Sequence, residues 1–291
     1  MMTRSTLGRL FFALALAASG IQQLATGDFV RLVTPGPPGS PGHPVQAHLI
    51  GLLLLAAGVA LAVAGGRRAR WAAAGVGVLL LLLFLARQLP LALAKPQVGF
   101  LWTNPCKVLA LLAGAILLVA LMPEDEVERP SALARLGRRL LPLAPLFLGG
   151  FLLLAGIQHF VYADFVAKLV PAWIPLTRFW VYFTGIALIA GGLGILIPKT
   201  ARLAATLAGI MIFLWVVLLH IPRAVTLHSA GETAGIFEAL ALSGVALLLA
   251  DRRGRSELPV ARAATDRTLS ALPNMQIQSL LDEEEARGRP D

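Results

Sequence analysis

Eight times along its length the chain runs for close to twenty residues with almost nothing but apolar side chains. The runs are Leu10 to Ala25, Val45 to Gly66, Trp71 to Leu91, Pro105 to Met122, Leu140 to Tyr162, Phe179 to Ile197, Leu203 to Ile221 and Gly231 to Ala250. A helix of ~20 residues crosses the hydrocarbon core of a bilayer, and inside that core only helices and closed barrels satisfy their own backbone groups. The runs therefore predict an all-α integral membrane protein with eight transmembrane helices. With 57% hydrophobic and only 14% charged residues, an ordinary soluble domain is excluded.

The eight runs fall into two sets of four. Gly20-Ile21-Gln22 and Asp28-Phe29-Val30 return 136 residues later as Gly156-Ile157-Gln158 and Asp164-Phe165-Val166. Further echoes pair Gly58 with Gly192, Arg68 with Arg202, Gly75 with Gly209 and Gly114 with Gly244. Such self-similarity is the mark of a tandem duplication. It predicts a first four-helix repeat over 1–122, a linker over 123–139, a second repeat over 140–250 and a tail over 251–291. An even number of spans per repeat gives both halves the same orientation, related by an axis along the membrane normal.

Lys and Arg in the loops and flanks set the orientation. One side carries fourteen: Arg4, Arg9, Arg67, Arg68, Arg70, Arg129, Arg135, Arg138, Arg139, Lys199, Arg202, Arg252, Arg253 and Arg255. The other carries seven: Arg31, Arg87, Lys95, Lys107, Lys168, Arg178 and Arg223. Both termini are thus expected in the cytoplasm of a bacterial-type inner membrane. The first run could pass for a signal peptide, but its counterpart at Leu146 to Gln158 is internal, so it is read as an uncleaved span.

Outside the spans the signals are sparser. Thr34 to Pro44 is rich in Pro and Gly and predicts a stiff polyproline-like loop on the outer face. In the second half the matching stretch, Leu169 to Pro175, is apolar with Trp173 and suits the membrane interface. The linker is acidic then basic, with a helix start expected after Pro130-Ser131. The tail, Asp251 to Asp291, is polar enough to predict disorder, apart from a short apolar piece at Met275 to Leu281. Cys106 is the only cysteine, which removes an internal disulfide or a two-thiol relay. No aromatic-basic patch lies outside the spans, so the net charge of +9 points to topology and anionic headgroups rather than nucleic acid. Membrane lipids are the implied partners, with other subunits of a membrane complex reachable through the tail or outer loop.

Ionisable side chains inside spans are costly and mark a functional site by default. Here they gather at one depth. Gln158 and His159 fall in the outer third of the fifth span, and His220 at the outer end of the seventh, just before Pro222 and Arg223. Arg178 opens the sixth span. Glu238 lies about two turns into the eighth. A carboxylate there should be neutral or paired, with His220 or Arg223 as the expected partner in a pocket of the second half. The catalytic candidates are Glu238 and His220; the ligand-binding candidates are Gln158, His159, Arg178 and Arg223. Each has a structural alternative: interhelical glue for Gln158, snorkelling anchors for the arginines. In the first half Gln23 replaces His159, His220 falls near Ala86 and Arg87, and Glu238 falls at Val108 beside Lys107.

No HExxH, CxxC, phosphate loop or nucleophile elbow occurs, and two histidines with one glutamate make too thin a set for a metal. The second half resembles the DoxX-like family of four-helix membrane proteins. The residues that carry this are Gly156-Ile157-Gln158-His159-Phe160, Phe165-Val166, Val170-Pro171, Ile174-Pro175, Tyr182-Phe183-Thr184-Gly185, Gly191-Gly192-Leu193-Gly194 and Thr200 to Ala205. The resemblance covers Leu140 to Ala250. It implies a four-helix fold and a redox association, the family including subunits of a thiosulfate:quinone oxidoreductase. This chain differs in lacking an acid around Thr184-Gly185 and in being duplicated. The leading expectation is a redox-associated subunit holding a quinone-like or other amphipathic molecule in the outer leaflet of the second repeat. Gln158 and His159 would bond a carbonyl, and Glu238 and His220 would exchange protons. A small-solute transporter and a non-catalytic scaffold remain the alternatives.

Overall fold

The computed structural model describes residues 3–29, 43–123 and 131–270, the last eighteen of these by backbone alone. The Pro-rich loop, the acidic part of the linker and the apolar piece at Met275 to Leu281 lie outside the described residues.

Each apolar run forms a helix, and no strand occurs among the described residues. In chain order they are α1 (Arg4–Thr26), α2 (His43–Val63), α3 (Gly66–Leu83), α4 (Leu89–Ala94), α5 (Thr103–Leu121), α6 (Ala132–Leu140), α7 (Leu143–Val161), α8 (Ala163–Ala167), α9 (Thr177–Leu196), α10 (Ala201–Trp215), α11 (Ile221–Leu227) and α12 (Ala230–Ser270). Eight stretches are long and apolar enough to span a membrane, with α3 and α4 forming one and α10 and α11 another. The chain is a multi-pass membrane protein. Local signals set several ends. Thr3 caps α1 by accepting from the Thr6 amide at 3.2 Å. Gly27 closes it with φ 64°, a left-handed conformation that glycine takes without a Cβ clash. Ser131 caps α6, the helix expected there.

Two spans continue past a proline. Pro90 and Pro222 each lack an amide proton and would end a regular helix. The chain instead widens into π turns just ahead of them, at Phe84–Gln88 and Val216–His220. The amide of Leu89 then bonds back to the Phe84 carbonyl, and that of Ile221 to Val216, five residues apart in both cases. Helix resumes beyond, to Ala94 and Leu227. His220 is therefore not at the end of its span, as its neighbouring proline suggests, but two turns inside it.

Glycines let the helices close on one another. A Cβ on Gly20 would stand 2.6 Å from the Gly51 carbonyl oxygen and the Leu55 amide, so α1 and α2 touch backbone to backbone. On Gly156 it would stand 2.8 Å from the Gly185 oxygen and 3.0 Å from the Ile189 amide, with the same effect on α7 and α9. Gly8 and Gly244 bring α1 against α12 in the same manner. The α5 span and the apolar part of α12 are about two thirds buried, against less than half for every other span, so these two helices form the centre. Gly114 of α5 lies against Val245 of α12 and the ring of Phe12.

The face on which α2 and α5 end is tied by arginine. Arg9 donates to the carbonyls of Leu61, Ala62 and Ala64 at 2.6, 3.2 and 2.6 Å, closing the C-terminus of α2. Arg70, 3% exposed, donates to Val119, Met122 and Pro123 and closes α5. Cationic groups at helix C-termini meet both the free carbonyls and the helix dipole. Past Asp251 a second unit, Arg252–Asp291, begins. Its backbone is helical as far as Ser270, where composition predicts disorder.

Candidate functional site

Glu238 has a partner, and it comes from the other half of the chain. Lys107 Nζ lies 2.5 Å from Glu238 Oε2, with 18% of the lysine side chain and 13% of the glutamate side chain exposed. The expected partners are engaged elsewhere or apart. Arg223 forms a two-pronged pair with Glu232, Nε to Oε2 at 2.9 Å and Nη2 to Oε1 at 2.8 Å. Its Nη1 donates to the carbonyls of Lys168 and Leu169 and so closes α8. The reason is geometric. Glu238 sits on the side of α12 that packs against α5, where Lys107 is one turn past Thr103.

His220 nonetheless lies close by. Its ring rests against Gly235, where a Cβ would stand 3.0 Å from Nδ1, and Gly235 is about one turn from Glu238 on α12. The π turn makes this approach possible by ending on His220 and rotating it relative to a regular helix.

Gln158 and His159 are placed by contacts within the protein. Gln158 Nε2 donates to the Gly99 carbonyl at 3.0 Å, and its Oε1 accepts from the Thr103 hydroxyl at 3.0 Å. The side chain thereby ties the end of α7 to the start of α5. Gln22 does the corresponding thing with one end only: Nε2 donates to the Ala230 carbonyl at 2.7 Å, at the start of α12, while its buried Oε1 has no partner among the described residues. His159 Nδ1 lies 2.8 Å from the Ala155 carbonyl, and its ring stacks on Trp215 of α10 at 6.5 Å between centroids. Arg178 reaches Asp164 at 3.0 Å with both side chains mostly in the open, a surface pair of little energetic weight.

The structure thus brings together Thr103, Lys107, Glu238 and Gln158 along a seam where α5 meets α7 and α12, with His220 about one turn from Glu238, whereas His159 lies against Trp215 of α10 and Gly185 of α9. It leaves Arg178 and Arg223 outside. Lys107 and Thr103 are missed by sequence reasoning. The signal was present, since Lys107 falls beside the counterpart of Glu238, but only contact between α5 and α12 turns that coincidence into a pair. One atom of the seam remains unmatched: Glu238 Oε1 is buried without a hydrogen-bond partner among the described residues. The members are half-buried rather than sealed. In contrast Gln23, at the position corresponding to His159, is fully buried and donates to the Ala47 carbonyl at 2.7 Å. Among the described residues no group of three or more His, Cys, Asp or Glu side chains could hold a metal ion.

Residues 148–248, from within α7 to within α12, match a family described as a domain of unknown function (DUF8561). No curated protein and no solved structure matches the chain.

Proposed function

We propose that this chain is an inner-membrane protein of DoxX-like build, duplicated to eight helices with both termini in the cytoplasm. Its half-buried seam takes the polar head of a quinone-like or other amphipathic molecule from the outer leaflet. The observation that carries the reading is the unpartnered Oε1 of Glu238. A buried carboxylate oxygen without a donor is costly, and this atom is the point on the seam to which a ligand's polar head would donate. Lys107 and Glu238 bind the head group, and His220 exchanges protons with it as the redox association of DoxX-like proteins implies. Gln158 supports the site by fixing α7 to α5 and does not reach the ligand. The cavity between α1, α3, α5 and α12, bordered by Phe12, Leu80, Leu111 and Phe237, measures about 10 Å³ and has room for one water at most.

Duplication is supported by the matched glycine contacts of α1 with α2 and of α7 with α9, by the two π turns ahead of prolines and by the two glutamines that cross to the opposite half. The test is extraction. Protein purified from native membranes in lipid nanodiscs should carry a quinone-type molecule near one per chain, lost in Glu238→Gln and in Lys107→Met. An extract holding phospholipid alone, unchanged by either substitution, would replace this reading with that of a scaffold.

A further inference from the structure

Between the fourth and fifth spans, α6 lies against the last turn of α5. A Cβ on Gly137 would stand 2.7 Å from the Val119 side chain and 2.9 Å from the Ala120 amide, and α5 ends at Leu121. On the other side only Leu141 and Pro142 separate α6 from α7. The helix is thereby kept at the level where these two spans reach the edge of the hydrocarbon. Its side chains divide three ways. Ala134 and Gly137 are buried. Leu133, Leu136 and Leu140, three and four residues apart, form the next strip round the helix, with Leu136 50% and Leu140 36% exposed. Arg135, Arg138 and Arg139 take the remaining side, all exposed. Exposed leucines beside exposed arginines suit neither water nor hydrocarbon alone. A helix so divided lies flat in the plane of the headgroups, its apolar strip toward the acyl chains.

We propose that α6 is a docking site for an anionic phospholipid, whose headgroup meets the three arginines and whose acyl chains cover Leu136 and Leu140. Charge selects the lipid. A guanidinium presents its donors in a fork that matches phosphate oxygens, and its five N–H groups exceed what one neighbour in the protein can take up. A zwitterionic headgroup offers the same phosphate but brings its own cation against three arginines, whereas an anionic one does not. Other arginines of this face are employed differently: Arg9 and Arg70 donate to the carbonyls that end α2 and α5.

The experiment places the full chain in nanodiscs of equal phosphatidylglycerol and phosphatidylcholine and counts, by native mass spectrometry, the lipids that stay bound as the disc is stripped. Wild-type protein should retain phosphatidylglycerol over phosphatidylcholine by about five-fold or more, the factor that even one cation near an anionic surface supplies. Arg135→Gln with Arg138→Gln and Arg139→Gln keeps good helix formers and should bring the ratio below about two-fold. Arg68→Gln with Lys199→Gln and Arg202→Gln takes the same charge from the same face and should leave it above about three-fold. Equal loss in both triple variants, or no preference in the wild type, overturns the site. In a Cys106→Ala background, a spin label on Leu136→Cys should be relaxed by oxygen dissolved among the acyl chains, and one on Arg139→Cys by a water-soluble nickel complex. A Leu136 label reached by nickel puts the strip in water; one shielded from both reagents marks a protein, such as a second copy, as its cover. Either result overturns the lipid assignment.

Discussion

Lys107 and Glu238, one in each half of the chain, meet at 2.5 Å between the two most buried helices of the protein. Taking charges out of water is expensive, and their mutual attraction roughly offsets that only when the geometry is close. The acid is thus neutralised by the packing of α5 against α12. An interface between halves that carries a paired charge, an unmatched carboxylate oxygen and a histidine is better suited to binding than to holding the bundle together, because apolar side chains would do the latter without the desolvation.

That view separates stability from function. Lys107→Met leaves the Glu238 carboxylate unpaired and should destabilise by about 3 kcal/mol, lowering the melting temperature in detergent by roughly 6–10 °C. Lys107→Met with Glu238→Leu removes both charges and should return most of the loss while abolishing ligand binding. Melting curves followed by size-exclusion profiles decide it. A double variant no more stable than either single one would show that the pair itself supports the fold.

On the opposite face, Arg70 predicts a sharp contrast within one cluster. It is buried and donates to three carbonyls, one in the last turn of α5 and two just beyond it, whereas Arg68 is exposed. Arg70→Met should cost about 2–3 kcal/mol, the range for hydrogen bonds to charged groups. Arg68→Met should change thermal stability by less than about 0.5 kcal/mol. Equal effects would mean that Arg70 acts only through its charge, as the topology rule treats it.

The all-α class and all eight spans were legible because hydrocarbon admits so few structures: long apolar runs have one way to satisfy their backbones. The overrun of the seventh span past Pro222 was not, since a proline is a stop signal in a regular helix and only a π turn carries the chain past it. That Glu238 needs a polar partner was legible, it being an acid among Leu and Ala. Its partner was not. Pairing depends on which helices touch, and treating each half as a closed unit pointed to His220 and Arg223. Arg223 has its own acid in Glu232, nine residues on, which the sequence also contained but did not rank.

Glycine packing provides a graded test. Gly156→Val would push a side chain into the Gly185 carbonyl and the Ile189 amide, and neither backbone can step aside. It should lower stability by about 3 kcal/mol or more, the upper range of overpacking. Gly150, on the same helix with nothing within 4 Å of an added Cβ, should accept Val with little change. The two variants differ only in which face of α7 they load, so similar melting temperatures would contradict the contact between α7 and α9.

The topology can be checked with the chain's own chemistry. Cys106 is the only thiol and is half-buried near the start of α5, so Cys106→Ala gives a background in which single cysteines report sidedness. Fourteen basic residues against seven predict cytoplasmic termini, and one span separates the α1–α2 loop from the N-terminus. In whole cells, a membrane-impermeant maleimide should label Ser40→Cys and leave Ser256→Cys untouched until the membrane is opened. Labelling of both in intact cells, or of Ser256→Cys alone, would reverse or break the orientation. The seam would then open to the cytoplasm, and a ligand entering from the outer leaflet could not be the one that Glu238 meets.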